Sequence, residues 1–211
     1  ARTTPRIATP GAVRAYFGTN PVCITAPLPA EAPLCYDASL TQITGNKIKL
    51  YAQLGKQLPT GSVRDAEGQP TTDPAAARFL EAIGGYKGWG LGFAVDILTG
   101  ILAGLPNADE TSLMYGTDLS RPRNLDNIVA ALDPARFTDI DVFKTQLQAT
   151  IDRIRATTPI DPREPVAVPG DPEKAAEADR RANGIPLPPA IIDSLNEAAR
   201  ARGVDTLTAS R

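Results

Sequence analysis

Histidine is absent from all 211 residues. That excludes a Ser-His-Asp triad, a Cys-His dyad, histidine metal ligands and imidazole acid–base chemistry within this chain. Either the low average use of this residue explains the absence, or the histidine-bearing part of the machinery lies elsewhere. Methionine is equally scarce: the chain begins with Ala1 and its single Met is Met114, as expected of a processed or partial chain. With only two cysteines there is no disulfide framework. A chain of this length needs none, since it can bury about 70% of its unfolded surface. No apolar segment opens the sequence, so no secretion signal is read and a cytoplasmic location is expected. Lys and Arg never run longer than a pair and the net charge is −2, which argues against a nucleic-acid or polybasic membrane surface. The longest apolar stretch, 89–105, contains Asp96 and several glycines. It falls short of the roughly 20 residues that span a bilayer and reads as a buried helix.

What is present reads as α/β with more helix than strand. Residues 1–16, rich in Thr, Pro and Arg, read as a connector and not as the start of a core. The apolar runs 22–26 and 34–38 flank a proline-rich loop and predict a hairpin. Residues 47–54 fit strand or helix. Turn chemistry marks Asp65-Ala66-Glu67-Gly68. Asp73-Pro74 predicts an N-cap and a short helix to about Ile83. A glycine-rich turn then leads into a helix over 89–104, followed by a polar loop over 105–124. Residues 127–132 predict a buried strand. Phe143, Leu147, Ile151 and Ile154 recur at helical spacing over 139–156. After a proline-rich excursion, Asp171-Pro172-Glu173 opens a helix that ends near Asn183-Gly184. A last helix follows Pro188-Pro189, packs through Ile192, Leu195 and Ala199, and stops at Gly203.

Several segments could carry chemistry. Gly84-Gly85-Tyr86-Lys87-Gly88 precedes a helix, whose N-terminus offers free N–H groups to an anion. Lys87 adds a point charge suited to phosphate. The same glycines could simply permit close helix packing. The segment matches neither a Walker loop nor a Gly-x-Gly-x-x-Gly turn. Asp37, at a strand end before Ala38 and Ser39, could accept ribose hydroxyls or cap the next turn. The carboxylates of Asp171 and Glu173 suit a helix start with or without a ligand. Thr19 and Asn20 could bond a small polar ligand from what otherwise reads as a turn. Cys23 and Cys35 fall on adjacent strands and read as reduced core residues. No metal cluster, carboxylate pair or nucleophile motif stands out.

The order of these segments resembles one family. Gly18-Thr19-Asn20-Pro21, Tyr36-Asp37-Ala38-Ser39, Thr44-Gly45-Asn46-Lys47 and Pro70-Thr71-Thr72-Asp73-Pro74 come first. Gly84-Gly85-Tyr86-Lys87-Gly88, Val168-Pro169-Gly170-Asp171 and Gly184-Ile185-Pro186-Leu187 follow. Together they are similar to the malate/L-lactate dehydrogenase-like family. Its members include malate, sulfolactate and ureidoglycolate dehydrogenases and the piperideine/pyrroline-2-carboxylate reductases.

The resemblance implies a helix over 47–54 and a non-Rossmann cofactor domain, a mixed sheet flanked by helices, with further C-terminal helices. It divides the chain into a connector at 1–16, a cofactor-binding domain at 17–135 and a helical part at 136–211. It implies NADH or NADPH as cofactor and reduction of a small 2-oxo or cyclic 2-imino carboxylic acid, or the reverse reaction. Cofactor contacts would be Asp37, Ala38 and Ser39, then Tyr86 and Lys87, then Gly170, Asp171 and Pro172. Thr19 would bind the substrate carboxylate. Gly45 and Asn46 fall at a substrate-side segment where the family often carries Arg-Gly-Asp or Arg-Gly-Lys. Family members exceed 300 residues and carry a Ser-His pair in an N-terminal part, whose His donates the proton. The expectation is a homodimeric enzyme completed by that part or by a second polypeptide, with this chain inactive alone. The alternative is a non-catalytic binding or structural subunit that kept the fold.

Overall fold

The computed structural model describes residues 1–111, 120 and 122–207. Part of the expected polar loop over 105–124 lies outside them. The chain divides into two compact units, Ala1–Arg153 and Ile154–Arg211.

The first unit contains small sheets and helices, an α/β construction. β1 (Val22–Ala26) and β2 (Leu34–Ala38) form the expected antiparallel hairpin, with Cys23 opposite Asp37 and Thr25 opposite Cys35. Thr44 accepts the Lys47 N–H at 3.3 Å and so caps α1 (Gly45–Gln53), which makes 47–54 helix and not strand. β3 (Val63–Arg64), β4 (Pro70–Thr71) and β5 (Phe79–Leu80) form a second sheet in the order β4-β3-β5, both pairings antiparallel. Among the described residues, parallel geometry enters at one bridge, Ile7 to Leu80. α2 (Tyr86–Asp96) runs on into a π-helical turn, Ile97–Ile101. α3 (Ile140–Arg155) closes the unit, with Ile151 buried and Phe143 and Leu147 half-buried. Leu80 and Val63 anchor one core cluster with Ile43 and Leu58. Ile7, Phe17, Leu40, Ala82, Val95 and Ala108 form the other.

Five expectations for this first unit are corrected. Residues 1–16 do begin the core: Ile7 is fully buried, and Arg2 is 2% exposed. Backbone pairing explains this, since Leu80 donates to the Arg6 carbonyl and Ala8 donates to that of Leu80, both at 2.8 Å. Asp73 caps one turn only, through the Ala75 N–H, because the chain then leaves to pair β5 with β3. The strand expected at 127–132 does not form; Val129 is 93% exposed and nothing pairs with it among the described residues. The apolar helix after the glycine turn is covered on one side only: Leu91, Leu98, Ile101 and Leu102 are exposed. The cysteines are free thiols, Cys23 exposed and Cys35 half-buried, because a two-stranded ribbon has too little around it to enclose them.

The second unit carries α4 (Asp171–Asn183) and α5 (Pro189–Arg202). Gly184 and Gly203 terminate them with positive φ, as their sequence positions predict. Leu195, expected to pack, is exposed, and no residue of α5 is buried.

Candidate functional site

Leu40 organises the site. It is fully buried, its N–H donates to the Thr19 carbonyl at 2.8 Å, and its carbonyl accepts from Ile83 at 3.1 Å. Backbone bonds of Leu40 thus tie the Thr19 loop and Ile83, just before the turn at Gly84, to one residue. Asp37, Ala38 and Ser39 arrive immediately before it. Asp37 is exposed on β2, Ala38 is half-buried opposite Val22, and the Ser39 hydroxyl lies 3.1 Å from that of Thr41.

The Thr19 loop is tightly built. Asn20 is fully buried with φ 34°; its Oδ1 accepts the Thr3 N–H at 3.1 Å, and its Nδ2 donates to the Gly92 carbonyl at 2.9 Å. Asn tolerates that left-handed backbone better than most residues. Asn20 is thus spent on structure, while the half-buried Thr19 hydroxyl lies 3.3 Å from that of Thr3. Gly18 is required here, because a Cβ would lie 2.0 Å from Thr3 Oγ1.

At the start of α2 the glycines divide their roles. A Cβ on Gly88 would lie 1.8 Å from the Ile83 carbonyl oxygen, so Gly88 serves packing. Gly84 and Gly85 have φ of 60° and 63° and open space where a Cβ would stand. Gly85 is the N-cap and provides no side-chain cap to the first N–H groups of α2, and Tyr86 and Lys87 beside it are exposed. Downstream, Asp96 meets Arg2, whose Nε lies 3.0 Å from its Oδ1 with both side chains nearly inaccessible. Burial pushes the Asp96 carboxyl up, and the Arg2 charge pulls it partly back.

Thr19, Gly45 and Asn46 come together on a cavity of about 370 Å³. Sequence reasoning missed its other polar members: Thr3, Thr4, Arg6, Lys49 and Arg78. Arg6 lay in a segment read as connector and Arg78 in one read as helix. No local signal joins them, since Thr3 with Thr4 and Ala77 with Arg78 line the cavity as adjacent pairs outside any regular strand.

In the second unit, Gly170 is the N-cap of α4 with φ 95°. Asp171 is ion-paired with Arg155, at 2.7 and 3.0 Å, and accepts the Val168 N–H at 3.0 Å. The Arg155 bonds hold its carboxyl below the usual carboxylate range. Pro172 is exposed and lines a groove of about 590 Å³ along α4 with Glu173, Arg180 and Ile185.

The sequence profile of malate/L-lactate dehydrogenases matches residues 1–196. The chain is 31% identical over 183 residues to ureidoglycolate dehydrogenase (NAD(+)) of Escherichia coli O157:H7, covering 87% of this chain and 52% of that protein. It is 30% identical over 196 residues to (2R)-3-sulfolactate dehydrogenase (NADP(+)) of Chromohalobacter salexigens, covering 91% and 55%. A dehydrogenase crystal structure from Sinorhizobium meliloti superposes with a TM-score of 0.75 at 33% identity, covering 92% of this chain and 56% of that one. The chain thus spans about half the length of the curated relatives it matches. With that profile matched over residues 1–196, the chain belongs to the malate/L-lactate dehydrogenase family.

Proposed function

We propose that this chain is the cofactor-binding part of an NAD(P)H-dependent oxidoreductase acting on a small 2-oxo, 2-hydroxy or cyclic 2-imino carboxylic acid. One observation supports the reading: Leu40, which directly follows the Asp37–Ala38–Ser39 segment, bonds through its backbone both to Thr19 and to Ile83, the residue before the α2 glycine turn. The open space over Gly84 and Gly85 and the uncapped start of α2 suit a dinucleotide phosphate. Lys87 would add charge to that contact, Tyr86 an exposed ring face, and Asp37 acceptors for ribose hydroxyls. Gly170, Asp171 and Pro172 are a further cofactor segment by resemblance; Asp171 is engaged by Arg155, which leaves backbone as the main group to offer.

When bound, a reduced nicotinamide supplies hydride. The chain's own part is to orient and bind. The Thr19 hydroxyl and the start of α1 at Gly45 and Asn46 hold the substrate carboxylate by hydrogen bonding. No imidazole is available to protonate the substrate heteroatom. We therefore place the proton donor outside these 211 residues, in the portion of the relatives that this chain does not span.

The test follows absorbance of the reduced nicotinamide with pyruvate, oxaloacetate, sulfopyruvate and piperideine-2-carboxylate. The chain joined to the remaining family sequence should turn over one or more of them. Residues 1–211 alone should fall at least ~10²-fold short, the typical worth of a positioned acid. Robust turnover by residues 1–211 alone would overturn the external donor. Absence of both turnover and dinucleotide binding in the joined protein would favour a non-catalytic subunit.

A further inference from the structure

Among the residues lining the cavity beside Thr19 are three cations, Arg6, Lys49 and Arg78, and no carboxylate. Its volume, about 370 Å³, lies at the small end of the ~300–1,000 Å³ typical of small-molecule sites. One wall carries the Thr19 hydroxyl and the start of α1, where Gly45 and Asn46 follow the Thr44 cap. Arg6 directly precedes the Ile7–Leu80 bridge on one segment and Arg78 lies two residues before it on the other. Arg78 anchors Nη1 to the Ala75 and Ala77 carbonyls, at 3.2 and 3.1 Å. The rest of its guanidinium, and the whole of the Arg6 guanidinium, have no protein partner among the described residues. Ile48, Ala77 and Leu80 complete the lining with apolar surface.

A single carboxylate would be satisfied by the hydroxyl and helix-start wall. It would leave both guanidinium groups, which are exposed at the cavity, without a partner on the ligand. A second acidic group on the same small molecule gives them a partner of matching geometry. We propose that Arg6 and Arg78 are specificity-determining residues that read a second acidic group, so that the cavity takes a small diacid in preference to a monoacid. This deepens the oxidoreductase reading and rests on it for the fate of the acid, though not for its binding.

The experiment titrates the 211-residue chain with succinate and with butyrate, a diacid and a monoacid of equal carbon number, by calorimetry at low salt. Succinate should bind about tenfold or more tightly than butyrate, and the advantage should shrink as salt rises. Arg6→Gln combined with Arg78→Gln should reduce the ratio to near one. Equal affinity for the two acids, or binding of neither, overturns the proposal without any variant. A ratio that survives the double substitution in a folded protein overturns the assignment to these arginines. No nicotinamide enters the titration, so its outcome is separate from the fate of the oxidoreductase reading.

Discussion

Lys87 and Gly88 are adjacent but answer to different forces. Lys87 is exposed at a helix start, where its charge contributes little to folding. Lys87→Ala should leave stability nearly unchanged and weaken dinucleotide binding by about 1–3 kcal/mol, the value of a charge-assisted bond. Cofactor titration at low salt, in a form of the protein that binds cofactor, measures this; equal affinities would remove Lys87 from the site. Gly88→Ala puts a carbon 1.8 Å from a backbone oxygen, which has no rotamer to escape into. It should cost roughly 1–3 kcal/mol or more in urea unfolding, as overpacking does. A neutral result would mean that the turn between Ile83 and α2 can shift freely.

At the scale of the element, α4 is held at its start by Asp171. Its carboxyl is depressed by the Arg155 bonds, so the sign of the pH effect follows directly. The stabilisation is complete above the unfolded carboxyl value of about 3.9 and is lost as pH falls through the lower folded value. Relative to Asp171→Asn, the wild type should hold α4 more firmly by about 1 kcal/mol at pH 7. The difference should vanish in strong acid. Circular dichroism of both proteins across that range checks it, and a difference that persists at the acid end would assign the effect to something other than the ion pair.

α2 and the π-helical turn pose a different question. They bury Val95 and Thr99 on one side and expose Leu91, Ile97, Leu98, Ile101 and Leu102 on the other. An apolar stripe of that extent promotes association. Sedimentation velocity of residues 1–211 should show concentration-dependent assembly, reduced by Leu98→Glu with Leu102→Glu. A monomer at all concentrations would show that water alone tolerates the face.

For the whole molecule, legibility tracked how local each determinant was. The hairpin, α3, α4 and the glycine stops were readable because caps, turns and spacing act within a few residues of themselves, whereas residues 47–54 fitted strand or helix and only the family resemblance favoured helix. The membership of Thr19, Gly45 and Asn46 in one cavity was readable through ordered motifs, although nothing nearby in sequence joins them. Where reading failed, a distant partner decided. Asp73-Pro74 carries a sound helix signal, yet pairing of β5 with β3 removes the chain after one turn. Residues 127–132 have strand composition and no strand to join. Arg2 is a polar residue near the chain's start, and only Asp96 and the Pro106 carbonyl make its burial tolerable. Composition determined the absence of imidazole, and with it the need for an outside proton donor in the proposed reaction. The tertiary structure decided which residues line one cavity, because positions 6, 19, 46 and 78 share it only after segments separated by some seventy residues, those of Arg6 and Leu80, have exchanged backbone hydrogen bonds.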